Sequence, residues 1–488
     1  MMHTQAKEEQ TPHRISMPCF CPSNRGKHLL LAFALLLLFH CLAGNAAAEE
    51  TLKFGRFGEV TLYRDSPTPA NVVLFVSGDG GWNLGVIDMA KSLAGLNALV
   101  VGIDIVHYLK ETGRSQEKCT YWAADFEELS HYVQKKLNLP RYLPPTLVGY
   151  SSGATLVYAT LAQAPAGTFA GAISLGFCPD LTLMRPPCGG AGLKWQPGRK
   201  SNEYFFQPRA DLQPPWIALQ GEIDQVCDSA TAQGFVNKTG KARAIMLPNV
   251  GHGFSVQGNW LPQFKDAFRQ IASVSERPGP LAQSVADLPL VEVPATAPGK
   301  IMAVMISGDG GWAGIDRELA DYLAARGANV VGLNALQYFW HHRTPEEAAR
   351  DLERILAHYT GKWQPERLVL IGYSFGAEVL PFMVSRLPPA LAQKIHLLAL
   401  LTPGTEAEFE IHVGDWFGME EKKGAWPVAA EIKKLTGPKI LCLYGSQEQE
   451  TVCTALDGRH ALGVELRGGH HLGGEYGPIA DRILQALP

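Results

Sequence analysis

A chain that repeats itself in order must fold as copies of one unit, and this sequence does so. Ser77-Gly78-Asp79-Gly80-Gly81-Trp82 returns as Ser307-Gly308-Asp309-Gly310-Gly311-Trp312, each time after an apolar run. Val100-Val101-Gly102-Ile103-Asp104 returns as Val330-Val331-Gly332-Leu333-Asn334 at the same offset of 230. Leu147-Val148-Gly149-Tyr150-Ser151-Ser152-Gly153-Ala154 then returns as Leu370-Ile371-Gly372-Tyr373-Ser374-Phe375-Gly376-Ala377. A fourth correspondence sets Gly221, Asp224 and Cys227 against Gly445, Glu448 and Cys453. Collinear matches of this kind predict two homologous lobes.

Within each half, short Val/Leu/Ile runs alternate with helical patterns, the order of a mostly parallel sheet covered by helices. The fold class expected is therefore α/β, as two tandem lobes of mostly parallel sheet flanked by helices. The 488 residues suffice for two to three domains at roughly 150 residues each. Between the copies, residues 275–299 are rich in Pro, Ala and Ser, the composition of a semi-extended linker. The boundaries expected are a first lobe over 49–275, a Pro-rich linker over 276–298 and a second lobe over 299–488. Thr344-Pro345-Glu346-Glu347 reads as an N-cap, a proline at the first position and a capping-box acid, starting a helix that runs to about Tyr359.

Ahead of the first lobe, Arg25, Lys27 and His28 precede the apolar run 29–39, and small residues follow from Ala43 to Ala48. That is the basic, apolar and Ala-x-Ala sequence of a secretory signal peptide, with cleavage expected after Ala48. The apolar run is shorter than the roughly 20 residues of a membrane-spanning helix, which makes an uncleaved anchor the lesser reading. The residues before Arg25 are long for a leader, and Met17 is an alternative start. A bulky Leu-Phe-His run before Cys41 speaks against a lipid anchor. Cleavage would leave Cys119, Cys178, Cys188, Cys227, Cys442 and Cys453, an even set that fits three disulfides in an oxidising compartment. The pairs expected from spacing are Cys442 with Cys453 and Cys178 with Cys188. With 43 Lys+Arg against 47 Asp+Glu and a net charge of −4, the chain lacks the basic excess of a nucleic-acid binder. No metal or cofactor motif occurs, and none is expected to be needed.

Gly372-Tyr373-Ser374-Phe375-Gly376 follows an apolar strand and precedes a helical pattern, the context of a nucleophile elbow. A serine nucleophile needs a base and the base an orienting acid, in the chain order Ser, acid, His for this fold. In the second copy Glu448 follows the strand 440–444, and His470 and His471 follow the strand 463–466 through a Gly-Gly turn. Either histidine fits the base. Ser151, Asp224 and His252 fill the same slots in the first copy and make a second candidate site. Oxyanion donors are expected from the N–H of Phe375 and from Asp309 or Gly310. The glycine-rich loop lacks the Lys-Ser/Thr of a phosphate-binding loop, so nucleotide binding is not expected.

One segment of the second copy has no counterpart. From Glu408 to Val413 acids alternate with apolar residues, as in a half-buried strand. Glu406, Glu408, Glu410 or Asp415 is read as meeting a cationic substrate group, with Trp312, Trp340 and Trp416 covering an apolar portion. A solvated edge strand is the alternative reading.

These residues resemble the VirJ/AcvB family, periplasmic α/β-hydrolase-like proteins of Gram-negative bacteria. The likeness rests on Ser307 to Trp312, Trp340 with Arg343-Thr344-Pro345-Glu346, Gly372 to Glu378, Tyr444-Gly445 with Glu448 and Cys453, and Gly469-His470-His471. The extra first lobe resembles the long, AcvB-like form. The resemblance implies a periplasmic serine hydrolase that releases lysine or alanine from aminoacyl-phosphatidylglycerol at the outer leaflet of the inner membrane. It also implies a link to virulence and to type IV secretion proteins. Glu448 departs from the usual Asp as the acid. On this reading the second lobe is catalytic and the first a degenerate or accessory copy contacting membrane or partner. The alternatives are a periplasmic chaperone or adaptor of a secretion system that reuses the fold for binding, and a generic esterase or peptidase.

Overall fold

Strands covered by helices on both faces are buried on both sides, and so read as unbroken apolar runs. Such runs form the centres of two sheets in the computed structural model, which describes residues 50–275, 284–297, 299–412, 425–458 and 460–488. The expected signal peptide lies outside the described residues. The first lobe contains β1 (Glu50–Phe54), β2 (Gly58–Tyr63), β3 (Asn71–Val76), β4 (Ala98–Ile103), β5 (Thr146–Tyr150), β6 (Gly171–Leu175), β7 (Asp180–Thr182), β8 (Trp195–Pro197), β9 (Glu203–Phe206), β10 (Trp216–Gly221) and β11 (Ala242–Leu247). The second contains β12 (Leu290–Val293), β13 (Ile301–Ile306), β14 (Ala328–Leu333), β15 (Arg367–Tyr373), β16 (Leu397–Leu401), β17 (Glu406–Ala407), β18 (Trp426–Pro427), β19 (Lys439–Gly445) and β20 (Leu462–Leu466).

The main sheets run β1-β2-β4-β3-β5-β6-β10-β11 and β12-β14-β13-β15-β16-β19-β20. Apart from the extra edge strand β1, the two orders superimpose strand for strand. The strands from β4 and β14 onward are parallel, and β2 and β12 join them antiparallel. The protein is a tandem α/β-hydrolase fold. Both sheets cross over after their first parallel strand, and each brings its β5- or β15-equivalent to the centre with the carboxyl edge free for a site.

The stretch expected as a linker is only partly one. Residues 276–283 lie outside the described residues, but Val285 and Leu288 are buried in the second lobe's core, and β12 pairs with β14 in the register Leu290↔Leu333. A proline just before an edge strand leaves its ladder intact. The capping box is present, with Thr344 Oγ1 accepting from Glu347 N and Glu347 accepting from Thr344 N, and its helix spans Pro345–Trp363. The expected strand over 408–413 is absent in its described part: β17 stops at Ala407, although Phe409 and Ile411 are buried and Glu408 and Glu410 are not. The in-and-out burial is real, but core packing rather than a strand ladder produces it.

Disulfides join Cys119 to Cys188, Cys178 to Cys227 and Cys442 to Cys453. The expected Cys178–Cys188 pair is corrected. Cys178 and Cys227 follow the paired parallel strands β6 and β10, so both leave the same sheet edge side by side. Cys227 and Cys453, matched by sequence, therefore make different bonds. Three disulfides are what an oxidising, exported setting supports. Among the described residues no helix is long and apolar enough to cross a membrane.

The lobes meet along the Trp122–Lys136 helix and the loop after it. Trp340 Nε1 donates to Leu139 O at 3.0 Å, and His341 Nε2 contacts the same oxygen at 3.0 Å. Lys135 Nζ donates to the Trp340 carbonyl, lies 4.6 Å from the Trp340 ring centroid and pairs with Glu410 at 3.2 Å. Tyr142 of the first lobe sits within the second lobe's apolar core.

Candidate active site

Strand β15 ends at Tyr373 and a helix begins at Phe375, which leaves Ser374 alone on the turn at φ 50° and ψ −121°. Two glycines make this turn fit. A β-carbon at Gly372 would lie 2.5 Å from Gly376 O, and one at Gly376 would lie 2.2 Å from Ile306 O. Neither position has room for a side chain, which is the physical content of the Gly-x-Ser-x-Gly spacing.

The carboxyl ends of β19 and β20 deliver the other two groups. His470 Nε2 stands 2.8 Å from Ser374 Oγ, and His470 Nδ1 stands 2.8 Å from Glu448 Oε1. The other carboxylate oxygen of Glu448 accepts from Gly445 N at 2.7 Å, which holds the acid against its own strand end. Of the two histidines, the structure brings His470 to the serine. His471 turns to the Tyr373 hydroxyl, 3.0 Å from its Nδ1. Burial, then the neighbouring His470 charge, lowers the His471 pKa, with Asp309 opposing.

The first lobe has the same arrangement. Ser151 sits at φ 55° and ψ −122°, with its Oγ 2.8 Å from His252 Nε2, and His252 Nδ1 is 2.9 Å from Asp224 Oδ2. Asp224 is held more tightly than Glu448: Oδ1 accepts from Val226 N and Cys227 N at 2.9 Å each, and Oδ2 from Gln220 Nε2 at 3.1 Å. The first copy, expected as degenerate or accessory, thus holds all three members of its relay within hydrogen-bonding distance.

Both glycine-rich loops border a serine. A β-carbon at Gly308 would be 3.6 Å from Ser374 Cβ, and one at Gly78 would be 3.1 Å from Ser151 Cβ. Phe375 is the first residue of its helix, so its N–H belongs to the turn that lacks intrahelical partners. Gly310 N donates to Asp309 Oδ1 at 3.1 Å in this structure. The hydrogen-bonded relay can pass a proton from serine to histidine, and the helix start can receive negative charge on an adding carbonyl.

The proposed substrate contacts fare differently. Glu410 is occupied by Lys135, Glu408 lies 3.9 Å from His412, and Glu406 is an exposed end of β17. Trp340 is buried at the lobe junction, and Trp312 packs on Gly332, so neither indole is free to cover a substrate. Asp415 and Trp416 lie outside the described residues.

Carboxyl groups do gather near the second site, from positions that sequence reading missed. Asp316 is buried in the first turn of the Ile315–Ala325 helix and accepts from Gly308 N; burial, opposed by that bond, raises its pKa well above the carboxylate range. Glu127 comes from the first lobe. Burial, then the charge of Asp309, pushes its carboxyl up to about 8. The spacing of Glu127, His131 and Lys135 by four residues places them on one helix face, the only signal that a sequence offers for their joint position. Thr402 was also missed: it follows β16 at φ 50°, is buried, and its Oγ1 has no hydrogen-bond partner among the described residues. One group of described residues could hold a metal, Asp224, Cys227 and His252. It does not fit one, because Cys227 is in a disulfide and the other two bond to each other.

An elbow serine, a histidine and an acid at the carboxyl edge of a parallel sheet, present twice, define a tandem α/β-hydrolase-fold protein. The family model described as bacterial virulence protein (VirJ) matches residues 70–172 and 300–488, and the chain belongs to that family. Curated proteins gave no match. Similar solved structures include the esterase domain of a Rhodothermus marinus protein (13% identity, 46% of this chain and 98% of that one, TM-score 0.32). An alpha-beta serine hydrolase homologue from Coxiella burnetii matches at 18% identity over 46% of this chain and 97% of that one, TM-score 0.30. Thermogutta terrifontis esterase 2 phosphorylated by paraoxon matches at 17% identity over 47% and 95%, TM-score 0.33.

Proposed function

We propose that the second lobe is a serine hydrolase that cleaves the aminoacyl ester of lysyl- or alanyl-phosphatidylglycerol in the periplasm, at the outer leaflet of the inner membrane. The observation that carries the reading is the unbroken run of hydrogen bonds from Glu448 through His470 to Ser374 on a strained elbow. Ser374 Oγ adds to the ester carbonyl as its proton passes to His470 Nε2, and Glu448 holds the imidazole in the required tautomer. The N–H of Phe375 is the proposed oxyanion donor, and the Asp309–Gly310 backbone would join it only once Gly310 N releases Asp309 Oδ1. The phosphatidylglycerol hydroxyl leaves with the proton from His470. Water then repeats the sequence on the acyl-serine and frees the amino acid.

Family membership supports the substrate class, and so does charge. Asp309, on the glycine-rich loop that borders Ser374, offers a carboxyl group to an ammonium group, while burial holds Asp316 and Glu127 toward their neutral forms. Three disulfides support an exported setting.

The test is release of free lysine and alanine from lysyl- and alanyl-phosphatidylglycerol in detergent by the purified chain and by Ser374→Ala. Release by the wild type alone is expected. If neither releases an amino acid while Ser374→Ala keeps the wild-type biological phenotype, the adaptor reading for secretion-system partners replaces this one.

A further inference from the structure

We propose that the first lobe is a second, independent hydrolytic centre with Ser151 as nucleophile, and that it takes esters whose acyl portion is apolar. Its relay is complete, with 2.8 Å from Ser151 Oγ to His252 Nε2 and 2.9 Å from His252 Nδ1 to Asp224 Oδ2. A copy that had lost its chemistry would have no reason to keep the Asp224 side chain wholly buried, triply hydrogen-bonded and next to a disulfide. A buried carboxylate is costly unless its lone pairs are satisfied, and here each is aimed or anchored so that one oxygen faces the histidine. Ser152 begins the helix after the elbow, and the Gly78–Gly80 loop borders Ser151, so donors for an oxyanion lie where the second lobe has them.

The rims of the two sites differ in chemistry. The loop carrying Glu448 reads Ser446-Gln447-Glu448-Gln449-Glu450, polar throughout, whereas the loop carrying Asp224 reads Glu222-Ile223-Asp224-Gln225-Val226. Ile223 and Val226 are 59% and 69% exposed, and Val256, four residues past His252, is 58% exposed. The two loops touch, since Ile223 N donates to Val250 O at 3.2 Å. Large apolar side chains thus stand in water on both loops that bear the acid and the base, and we assign them to a hydrocarbon acyl chain bound at Ser151.

The reaction balances without any further reactant but water. Ser151 Oγ bonds to the ester carbonyl carbon while its proton moves to His252 Nε2; the carbon–oxygen bond to the alcohol breaks, and the alcohol departs with that proton. Water then gives its hydroxyl to the acyl carbon and a proton to His252, the acid leaves, and Ser151 recovers its proton.

The test uses the full chain treated with a fluorophosphonate probe and mapped by peptide mass spectrometry, which needs no variant. Adducts on both Ser151 and Ser374 are expected; an adduct on Ser374 with none on Ser151 overturns the proposal and leaves the second-lobe reading standing. In a chain carrying Ser374→Ala, p-nitrophenyl octanoate should turn over faster than the acetate, by up to about fourfold for each methylene buried in the transition state. Ser151→Ala in that background should abolish this turnover. Ile223→Asp with Val226→Asp, both at exposed positions, should lower octanoate turnover about tenfold while leaving the Ser151 adduct. Equal or better turnover of acetate would overturn the apolar-acyl assignment.

Discussion

The indole of Trp312 lies on Gly332, so close that a β-carbon at Gly332 would stand 2.0 Å from Cζ3. The first lobe repeats the contact, with 2.1 Å from a β-carbon at Gly102 to Trp82 Cζ2. These pairs join the two best-repeated motifs, and they account for the tryptophans as packing rather than substrate contacts. Gly332→Ala must evict or tilt the indole. It is expected to destabilise the protein by about 1–3 kcal/mol, the usual range for overpacking a filled core, and Gly102→Ala by a similar amount. Denaturant unfolding of each variant checks this; an unchanged midpoint for either would mean that the indole has room to move.

Adjacent histidines with separate partners should separate in kinetics. His470 bridges Ser374 and Glu448, whereas His471 meets Tyr373. On the proposed mechanism His470→Ala and Ser374→Ala each lower kcat by roughly 10⁴-fold or more, and the double variant is little worse, because relay members act as a unit. His471→Ala should retain turnover within about tenfold of wild type. Amino-acid release from the aminoacyl lipid reads all four proteins; comparable losses at both histidines would give the base role to neither alone.

Much of this architecture was legible because it rests on local rules. Collinear repeats announced two lobes, and the Gly-x-Ser-x-Gly spacing announced an elbow whose glycines are sterically required. The remaining repeated residues serve the fold: Ser77 and Ser307 accept from Ile105 N and Ala335 N, and Asp104 and Asn334 cap the helices that follow β4 and β14. What stayed hidden depends on packing between elements distant in sequence. Spacing favoured Cys178 with Cys188, but strand adjacency decides for Cys227. The acids from Glu408 to Glu410 looked like a substrate surface, yet Lys135, 275 residues earlier, claims Glu410 across the lobe junction. No window of the sequence contains both partners.

Thr402 is a β-branched residue in the left-handed region at φ 50°, a conformation that costs about 1–3 kcal/mol. Its first-lobe counterpart, after β6, is Gly176 at φ 66°, where a β-carbon would meet the His252 ring at 3.3 Å. By that correspondence Thr402 carries its side chain toward the ground beneath His470. Thr402→Gly is expected to raise the thermal midpoint by relieving the strain, net of the entropy that glycine adds to the unfolded chain. It should also lower kcat for the aminoacyl lipid, with KM little changed, by loosening the histidine. A stabilised variant with full kcat would reduce Thr402 to a structural residue.

His131 couples the lobe junction to pH. It is 1% exposed, its ring centroid 4.6 Å from that of Tyr142 and 6.4 Å from that of Trp340, and burial lowers its pKa to about 3. The unfolded chain, with a histidine near 6.5, therefore takes up a proton that the folded chain refuses. The stability this group contributes is fully present above pH 6.5 and is lost as pH falls toward 3, at up to about 1.4 kcal/mol per pH unit. Glu127, on the same helix face, works in the opposite sense: its carboxyl, pushed up to about 8, favours the folded chain below the ordinary glutamate value and loses that advantage as pH rises through 8. The two overlap between pH 4.5 and 6.5, so the wild-type curve alone does not reveal either. The comparison that does is His131→Phe, which keeps an aromatic ring between Tyr142 and Trp340 and removes the titration. Its thermal midpoint relative to wild type should rise on going from pH 7.5 to pH 5.5, because only the wild type loses stability to histidine protonation in that interval. A constant difference across the interval would mean that the imidazole is charged in place, with a counter-charge at the junction keeping it so.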